Sequence, residues 1–417
     1  MIAEDCADST LGRSIHVTIA SRIFEPEPSA ASFRLGVLAQ TLSELGHDVS
    51  VITVNPPKGL AGCADDDART YRVERAPVFR DQAGYVRGYL PYLSFDAPLF
   101  FRLLFRRRAD VIVAEPPPTT GFFVRLVSTL RRVPYVYYAA DIWADGAAQT
   151  GAPKWIVRVV RSIERFAMRG ARTVLSVSDS LTSRLAEIGV VDNVLTVGNG
   201  IDPRPFCSGA EPDEAYKRVS PPEFVYAGTA SEWHGSTVFV EALPIVRTQL
   251  PGARIRFIGG GSEFEKIKAL ASRLDVSDAV TTEPFLPPTE LAPILRGSTA
   301  ALASIVPGNG NESTFPTKLY ASTLCGTPAV FAGVGPAVKF LQVEVGGAPL
   351  GLPVGLEASE VAQAMLSIAT QCRDLEQRKH MVRWGLDNVA LSSVAERIAR
   401  ELEEIGGVER EYPGAYS

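Results

Sequence analysis

The chain has 417 residues, length for two or three domains, and 46% of them are hydrophobic, which supplies large cores. Charged residues make up 21% and the formal net charge is −5, a balance that excludes both a disordered chain and a general nucleic-acid binder, which needs a basic stripe. Cysteines at 6, 63, 207, 325 and 372 are odd in number and form no CxxC, so a reducing compartment is expected, with no disulfide framework or zinc site.

The first residues, MIAEDCADSTLGR, are acidic where a signal peptide would be basic, and no 18-residue uncharged apolar run appears. The expectation is a cytoplasmic protein. Ser14–Ala20 (SIHVTIA) reads as a buried strand, followed by the loop SRIFEPEPS. Residues 30–46 carry apolar side chains at helical spacing and end on Gly46, and Asp48–Val54 (DVSVITV) is the next strand. Further strands are expected at 110–114, 134–139 and 172–177, with helices at 119–131, 153–170 and 180–188. These strands are apolar throughout, which suits a parallel sheet buried on both faces.

At VLTVGNGIDPRPF (194–206) the pattern breaks in Gly, Asn, Asp and Pro, and a polar stretch follows. A second alternating series then begins. Its strands fall at 223–227, 254–259, 279–283 and 299–305, its helices at 235–250, 262–274 and 288–296, and 357–405 reads as a helical tail. The expected architecture is α/β, with two Rossmann-like doubly wound domains, 1–205 and 206–417, the C-terminal helices belonging to the second. Two such domains facing a central cleft would bind ligands at the carboxyl ends of both sheets.

Other two-domain chemistries lack their signatures. The loop after the first strand has no glycine, so no GxGxxG stands where a dinucleotide enzyme needs it, and GxxxxGK[ST] is absent. Asp65-Asp66-Asp67 matches a metal-binding DxD formally, but CADDDART reads as a solvated turn. No two of His16, His47, His234 and His380 have helical metal-ligand spacing.

Five stretches in order carry a resemblance: SELGHDVSVITV, RGARTVLSVSDSLTSRLAEIGV with VLTVGNGID, EFVYAGTASEWHGSTVFVEAL, RIRFIGGGSEFEKIKALA, and FPTKLYASTLCGTPAVFAG. Together they resemble family 4 glycosyltransferases, of the GT-B fold, over nearly the whole chain after residue 14. The nearest likeness is to bacterial transferases that build surface or secondary-metabolite glycans. The resemblance implies a retaining, metal-independent transfer from a nucleotide-diphosphate sugar (UDP-, GDP- or dTDP-linked) to a small-molecule or lipid-linked acceptor, with no cofactor. It also implies reaction on one face of the sugar, with the leaving phosphate as base.

The leaving diphosphate develops negative charge, so without a metal the protein must supply cations and N–H donors. Lys318, at the start of a helix, opposes the helix dipole, a cost that makes sense if an anion sits there. Thr317 and Leu319 would offer backbone N–H groups to the phosphates. Gly228 ends the first donor-domain strand. The family's cation pair falls on Thr229 and His234, and His234 would serve when protonated. Gly260 and Gly261 would face the donor, with Phe285 near the base. The family's two glutamates fall on Ser313, beside Glu312, and on Ala321, which removes the usual ribose clamp. In the first domain Asp141, at a strand end, and Glu115, after DVIVA, are the catalytic candidates; the family's His-Asp is here Ala140-Asp141. Ser29, Ser32 and Arg34 in and after the first loop would meet the acceptor.

PLFFRLLFRRRAD (98–110) and KWIVRVVRSIERFAMRGAR (154–172) mix arginine with apolar residues, so contact with the inner face of a membrane is an open expectation. Thr229, Ala140 and Ala321 leave two alternatives open: a degenerate partner or scaffold for another transferase, and a sugar-nucleotide epimerase.

Overall fold

The structure is a computed structural model. It describes residues 13–27, 29–81, 84, 86, 88–207, 220–308, 314–371 and 374–408. The chain divides into two compact units: residues up to Asn199 together with those from Leu391 onward, and Gly200–Ala390.

The first unit runs β1 (His16–Ala20), α1 (Ala30–Glu44), β2 (Asp48–Val54), β3 (Arg72–Ala76), α2 (Tyr89–Phe105), β4 (Val111–Ala114), α3 (Pro118–Arg131), β5 (Tyr135–Ala139), α4 (Trp143–Gln149), α5 (Lys154–Arg169), β6 (Thr173–Ser176), α6 (Asp179–Glu187) and β7 (Val194–Thr196). The strands form one parallel sheet in the order β3-β2-β1-β4-β5-β6-β7. The order reverses direction between β1 and β4, the switch point at which doubly wound sheets bind ligands. The strands buried on both faces are the apolar ones. β3 (RVERA) was not expected, because an edge strand carries a polar sequence that gives no core signal. Phe95, Leu99 and Leu103 of α2, Val124 and Val127 of α3, and Ala167 and Met168 of α5 cover one sheet face. Leu35, Leu38 and Leu42 of α1 cover the other.

The second unit runs β8 (Glu223–Thr229), α7 (Thr237–Gln249), β9 (Arg254–Gly260), α8 (Phe264–Arg273), β10 (Val280–Glu283), α9 (Pro288–Gly297), β11 (Ala300–Ile305), α10 (Lys318–Leu324), β12 (Ala329–Gly333), α11 (Pro336–Leu341), the small hairpin β13 (Glu344–Val345) and β14 (Ala348–Pro349), β15 (Gly351–Val354), α12 (Ala358–Thr370) and α13 (Leu375–Val389). Its sheet is parallel in the order β10-β9-β8-β11-β12-β15, with the switch point between β8 and β11.

The assignment of all of 206–417 to one domain needs correction. α14 (Leu391–Gly406) lies in the first unit. Val394, Ala395, Ile398, Ala399 and Leu402 recur at helical spacing and pack into the α1 side of the first core. A buried polar contact pins this helix: His47 Nδ1 accepts from the Ile15 N–H at 3.4 Å, so Nε2 carries the proton and lies 2.8 Å from Glu403 Oε1. Helical periodicity announces that α14 has an apolar stripe. It does not say which core receives it.

Candidate active site

In the second unit the site builds up at the carboxyl ends of β8, β9 and β10. β8 leaves the sheet through Gly228, whose φ of +115° is left-handed territory that favours glycine. A Cβ on Gly228 would stand 3.7 Å from Lys318 Nζ, so the lysine reaches the β8 end from the start of α10. Gly261, also at positive φ, passes so close to Ala230 O that a Cβ would lie 2.1 Å away. These glycines let the two loops run side by side, and Ala230 N donates to Gly260 O at 2.9 Å. The Phe285 ring, 64% exposed, stands over Gly260, 3.2 Å from where a Cβ would be.

Lys318 is the electrostatic centre of this region. Its Nζ is buried and makes no hydrogen bond, and it sits 3.4 Å from the centroid of the Tyr226 ring. Burial pushes its pKa down to about 7. An ammonium held this way is short of one partner, an anion. Thr317 occupies the N-cap of α10.

Two expectations change here. Burial, and the neighbouring Lys318, push His234 down to about 4, and its Nδ1 accepts from Ser231 N–H at 3.0 Å. The imidazole is therefore neutral and closes a turn, and what it has to give is an Nε2–H donor, not a charge. Leu319 N–H is bonded to Pro316 O at 3.0 Å, so it is not offered to a phosphate. Thr229 is exposed and supplies no cation. Ala321 is buried in the core beneath α10, and Glu312 and Ser313 lie outside the described residues.

The first unit gathers charge around its own switch point. Glu115 follows β4, and its backbone N–H bonds Ala20 O at the end of β1. Arg34 of α1 donates from Nη2 to Glu115 Oε1 at 2.7 Å, both side chains buried, and lies over the Tyr138 ring. Glu115 Oε2 has no partner. Burial raises the Glu115 pKa, and Arg34 opposes the rise. Asp141 stands exposed just past β5. The protein packed around its carboxyl raises its pKa, while Arg34 and Arg22 pull it back. Arg34, Glu115 and Asp141 thus interact as one charged cluster.

Ser29 and Ser32 do not join it. Ser29 is the N-cap of α1, its Oγ accepting from Ser32 N at 3.1 Å, and the fully buried Ser32 hydroxyl bonds Ser29 Oγ at 2.9 Å. Their hydroxyls bond each other and start a helix. The Asp65–Asp67 turn is likewise engaged in structure, since Asp66 binds Arg75 at 2.6 Å and lies 3.6 Å from Arg69.

Sequence reasoning missed three charged residues of this cluster. Arg22 lies 4.0 Å from the Tyr92 ring centroid and 5.1 Å from that of Trp143, and donates to Val86 O. Asp96 of α2, fully buried, accepts from Thr119 and Thr120, which open α3 just after Glu115; burial pushes it up to about 6. Glu164 of α5, also fully buried, accepts from the N–H groups of Trp143 (2.8 Å) and Ala144 (3.3 Å) at the start of α4; burial pushes it up to about 7. Each carboxylate props a loop that carries a candidate, Asp96 for Glu115 and Glu164 for Asp141. The signal was available: each is the only acid in its helix.

Two doubly wound units, each with polar and charged residues gathered at its strand ends, make up the GT-B fold. The family models agree: a glycosyl transferase 4-like domain matches residues 30–200, and the glycosyl transferases group 1 model matches 221–371. The chain belongs to this glycosyltransferase family. It is 32% identical over 165 residues to a D-inositol 3-phosphate glycosyltransferase of Segniliparus rotundus (39% of this chain, 34% of the relative). It is 26% identical over 250 residues to a glycogen synthase of Mycobacterium tuberculosis (58% and 55%). The chain thus spans between a third and just over half of these relatives' lengths. Among solved structures it resembles Anabaena HepE in complex with UDP, with a TM-score of 0.67 at 16% identity, covering 94% of this chain and 100% of that one. HepE has also been solved with UDP-glucose.

Proposed function

We propose that the chain is a retaining, metal-independent glycosyltransferase that takes a sugar from a nucleotide-diphosphate sugar and passes it to a small-molecule or lipid-linked acceptor. The observation that carries this reading is the buried, partnerless Lys318 ammonium beside Gly228 at the β8–β11 switch point. A diphosphate there would complete its hydrogen bonds and return its pKa toward that of an ordinary lysine. The negative charge that grows on the leaving diphosphate would be met by that ammonium, with the His234 Nε2–H as a neutral donor. Phe285, exposed over Gly260, would stack on the base. UDP is the first nucleotide to test, since HepE was solved with UDP and UDP-glucose.

In the first unit Asp141 and the free Glu115 Oε2 would accept hydrogen bonds from acceptor hydroxyls and place one for attack. Arg34 holds the Glu115 carboxyl in register and takes the acceptor role alone among the first-loop candidates. With retention on one sugar face, a leaving phosphate oxygen takes the acceptor proton, so no protein base is required at Ala140. The place of action is the cytoplasm, with peripheral contact at the inner face of a membrane.

Calorimetric titration with UDP, GDP and dTDP tests the reading. One of them should bind in the micromolar range, and Asp141→Asn should bind it equally well while losing turnover of the sugar donor. A chain that binds none at millimolar concentration is a scaffold, and donor turnover to an epimeric nucleotide-sugar without acceptor marks an epimerase.

A further inference from the structure

The outer surface of α2, α3 and α5 brings basic and aromatic residues together. These neighbouring helices contain eight cations: Arg102 on α2, Arg125 and Arg131 on α3, and Lys154, Arg158, Arg161, Arg165 and Arg169 on α5. They contain two acids, Asp96 and Glu164, both at 0% exposure and turned inward to the loops described above. No acid of these three helices reaches solvent, in a chain whose net charge is −5. The carboxylates that do meet their arginines come from other elements: Glu74 to Arg102 and Arg106, and Asp145 to Arg161.

An aromatic path crosses the same surface. Phe105 stacks on Phe101, Phe101 meets Phe100, Phe100 meets Phe123, Phe123 meets Phe122 and Phe122 meets Phe166, with centroids 5.3–6.5 Å apart. Phe105 is 80% and Phe101 57% exposed. Along α5, Trp155 and Val159 continue the stripe that ends at Phe166, and both are exposed. Leu93 and Leu130 add apolar area on α2 and α3. Exposed aromatic and aliphatic residues gathered on neighbouring helices mark an interaction surface.

We infer that the outer face of α2, α3 and α5 docks on an anionic lipid bilayer, its phenylalanines and Trp155 entering the headgroup boundary and its arginines meeting lipid phosphates. The charge argues for lipid over a second copy of the chain, because the cations of these helices outnumber the carboxylates that meet them and two such faces repel. Interfacial helices combine these two features, apolar aromatic residues on one side and Arg or Lys beside them. The inference deepens the membrane contact proposed above, and its test uses no sugar donor, so its failure leaves the nucleotide reading standing.

The full chain is sedimented with vesicles of phosphatidylcholine alone and of phosphatidylcholine with phosphatidylglycerol. It should pellet with the anionic vesicles only, and release as salt is raised. R158E/R165E and F101S/F105S should each weaken this binding on the order of tenfold or more, while both keep the wild-type melting temperature and UDP affinity. Absence of binding to anionic vesicles at low salt overturns the inference, as does equal binding by both variants. If the wild type is a dimer that F101S/F105S renders monomeric, the face joins two copies, and the inference is equally overturned. Should both variants fail to fold, quenching of Trp fluorescence by brominated anionic lipid in the wild type decides, unchanged emission counting against docking.

Discussion

Replacing Lys318 by methionine should do two opposite things at once. The folded lysine has its pKa lowered from 10.5 to about 7 by burial. At 1.36 kcal/mol per pH unit that gap corresponds to a ceiling of about 5 kcal/mol for holding the charge in the empty site. Contact with Tyr226 and the loss of stem packing reduce what methionine recovers, leaving about 2–4 kcal/mol. In a unit of this size such a gain is a rise in Tm of roughly 5–12 °C. The sign with pH follows from proton counting. Between pH 7 and 10.5 the unfolded chain holds a proton the folded chain lacks, so the wild-type apoprotein gains stability as pH rises through that window. Lys318→Met therefore shows its largest advantage at or below pH 7 and loses it toward pH 10. Binding moves the other way. A lost charge-assisted contact to a diphosphate costs about 2–3 kcal/mol, roughly 30- to 150-fold in UDP affinity. Wild-type affinity should also fall above pH 7, by up to about tenfold per pH unit, because the complex must take up a proton. Calorimetry in buffers of different ionisation enthalpy counts that proton directly. A variant that melts no higher than wild type and binds UDP equally well, with no proton uptake in the wild type, refutes the account of Lys318.

Phe285→Ala should weaken nucleotide binding by about 1–2 kcal/mol while leaving Tm unchanged, since the ring is exposed and its stacking partner is the ligand; titration of UDP against uracil-free diphosphate separates base from phosphate. Glu164, held near 7 by burial, binds its proton more tightly folded than unfolded, so its ionisation destabilises the fold as pH rises from about 4.5 to 7. Glu164→Gln should therefore gain in Tm relative to wild type at pH 8 and lose that gain at pH 5, while kcat falls because one of two N–H groups opening α4 loses its anionic acceptor. Glu403→Ala leaves the buried His47 Nε2–H unsatisfied and should cost about 1–3 kcal/mol in urea unfolding of the first unit, with UDP affinity unaffected.

What was legible in the sequence was what periodicity and strand-end logic encode. Apolar strands such as HVTIA and VIVA and the helices between them announce a parallel sheet, with Gly228, Glu115 and Asp141 where strands end and Lys318 at the start of a helix. What escaped notice depends on geometry that spacing does not carry. His234 could be read as a cation only while its depth and its Ser231 bond were unknown. Ser29 and Ser32 read as polar loop residues, and spacing does not show that they bond each other and the α1 backbone. Ala321 and Thr229 stand where the resemblance implies an acid and a cation, and spacing alone does not tell how deeply the Lys318 amine lies.

Asp96 and Glu164 join the two halves of the argument about the first unit. A helix of a water-facing layer usually shows acids and bases mixed on its outer side, because interspersed signs keep a surface soluble and non-adhesive. In α2 and α5 the single acid of each helix is drawn inward, where it costs desolvation and holds the loop of Glu115 or Asp141. That placement strips the outer side of negative charge and leaves arginine and phenylalanine exposed together. If the outer side of α5 meets no lipid, an exposed acid there would be harmless, and Arg158→Glu alone would leave vesicle behaviour unchanged. A single charge reversal that lowers binding to anionic vesicles without changing turnover of a soluble acceptor shows that the outer side is selected for its sign. The same reversal without effect on either leaves the inward acids with the propping role alone.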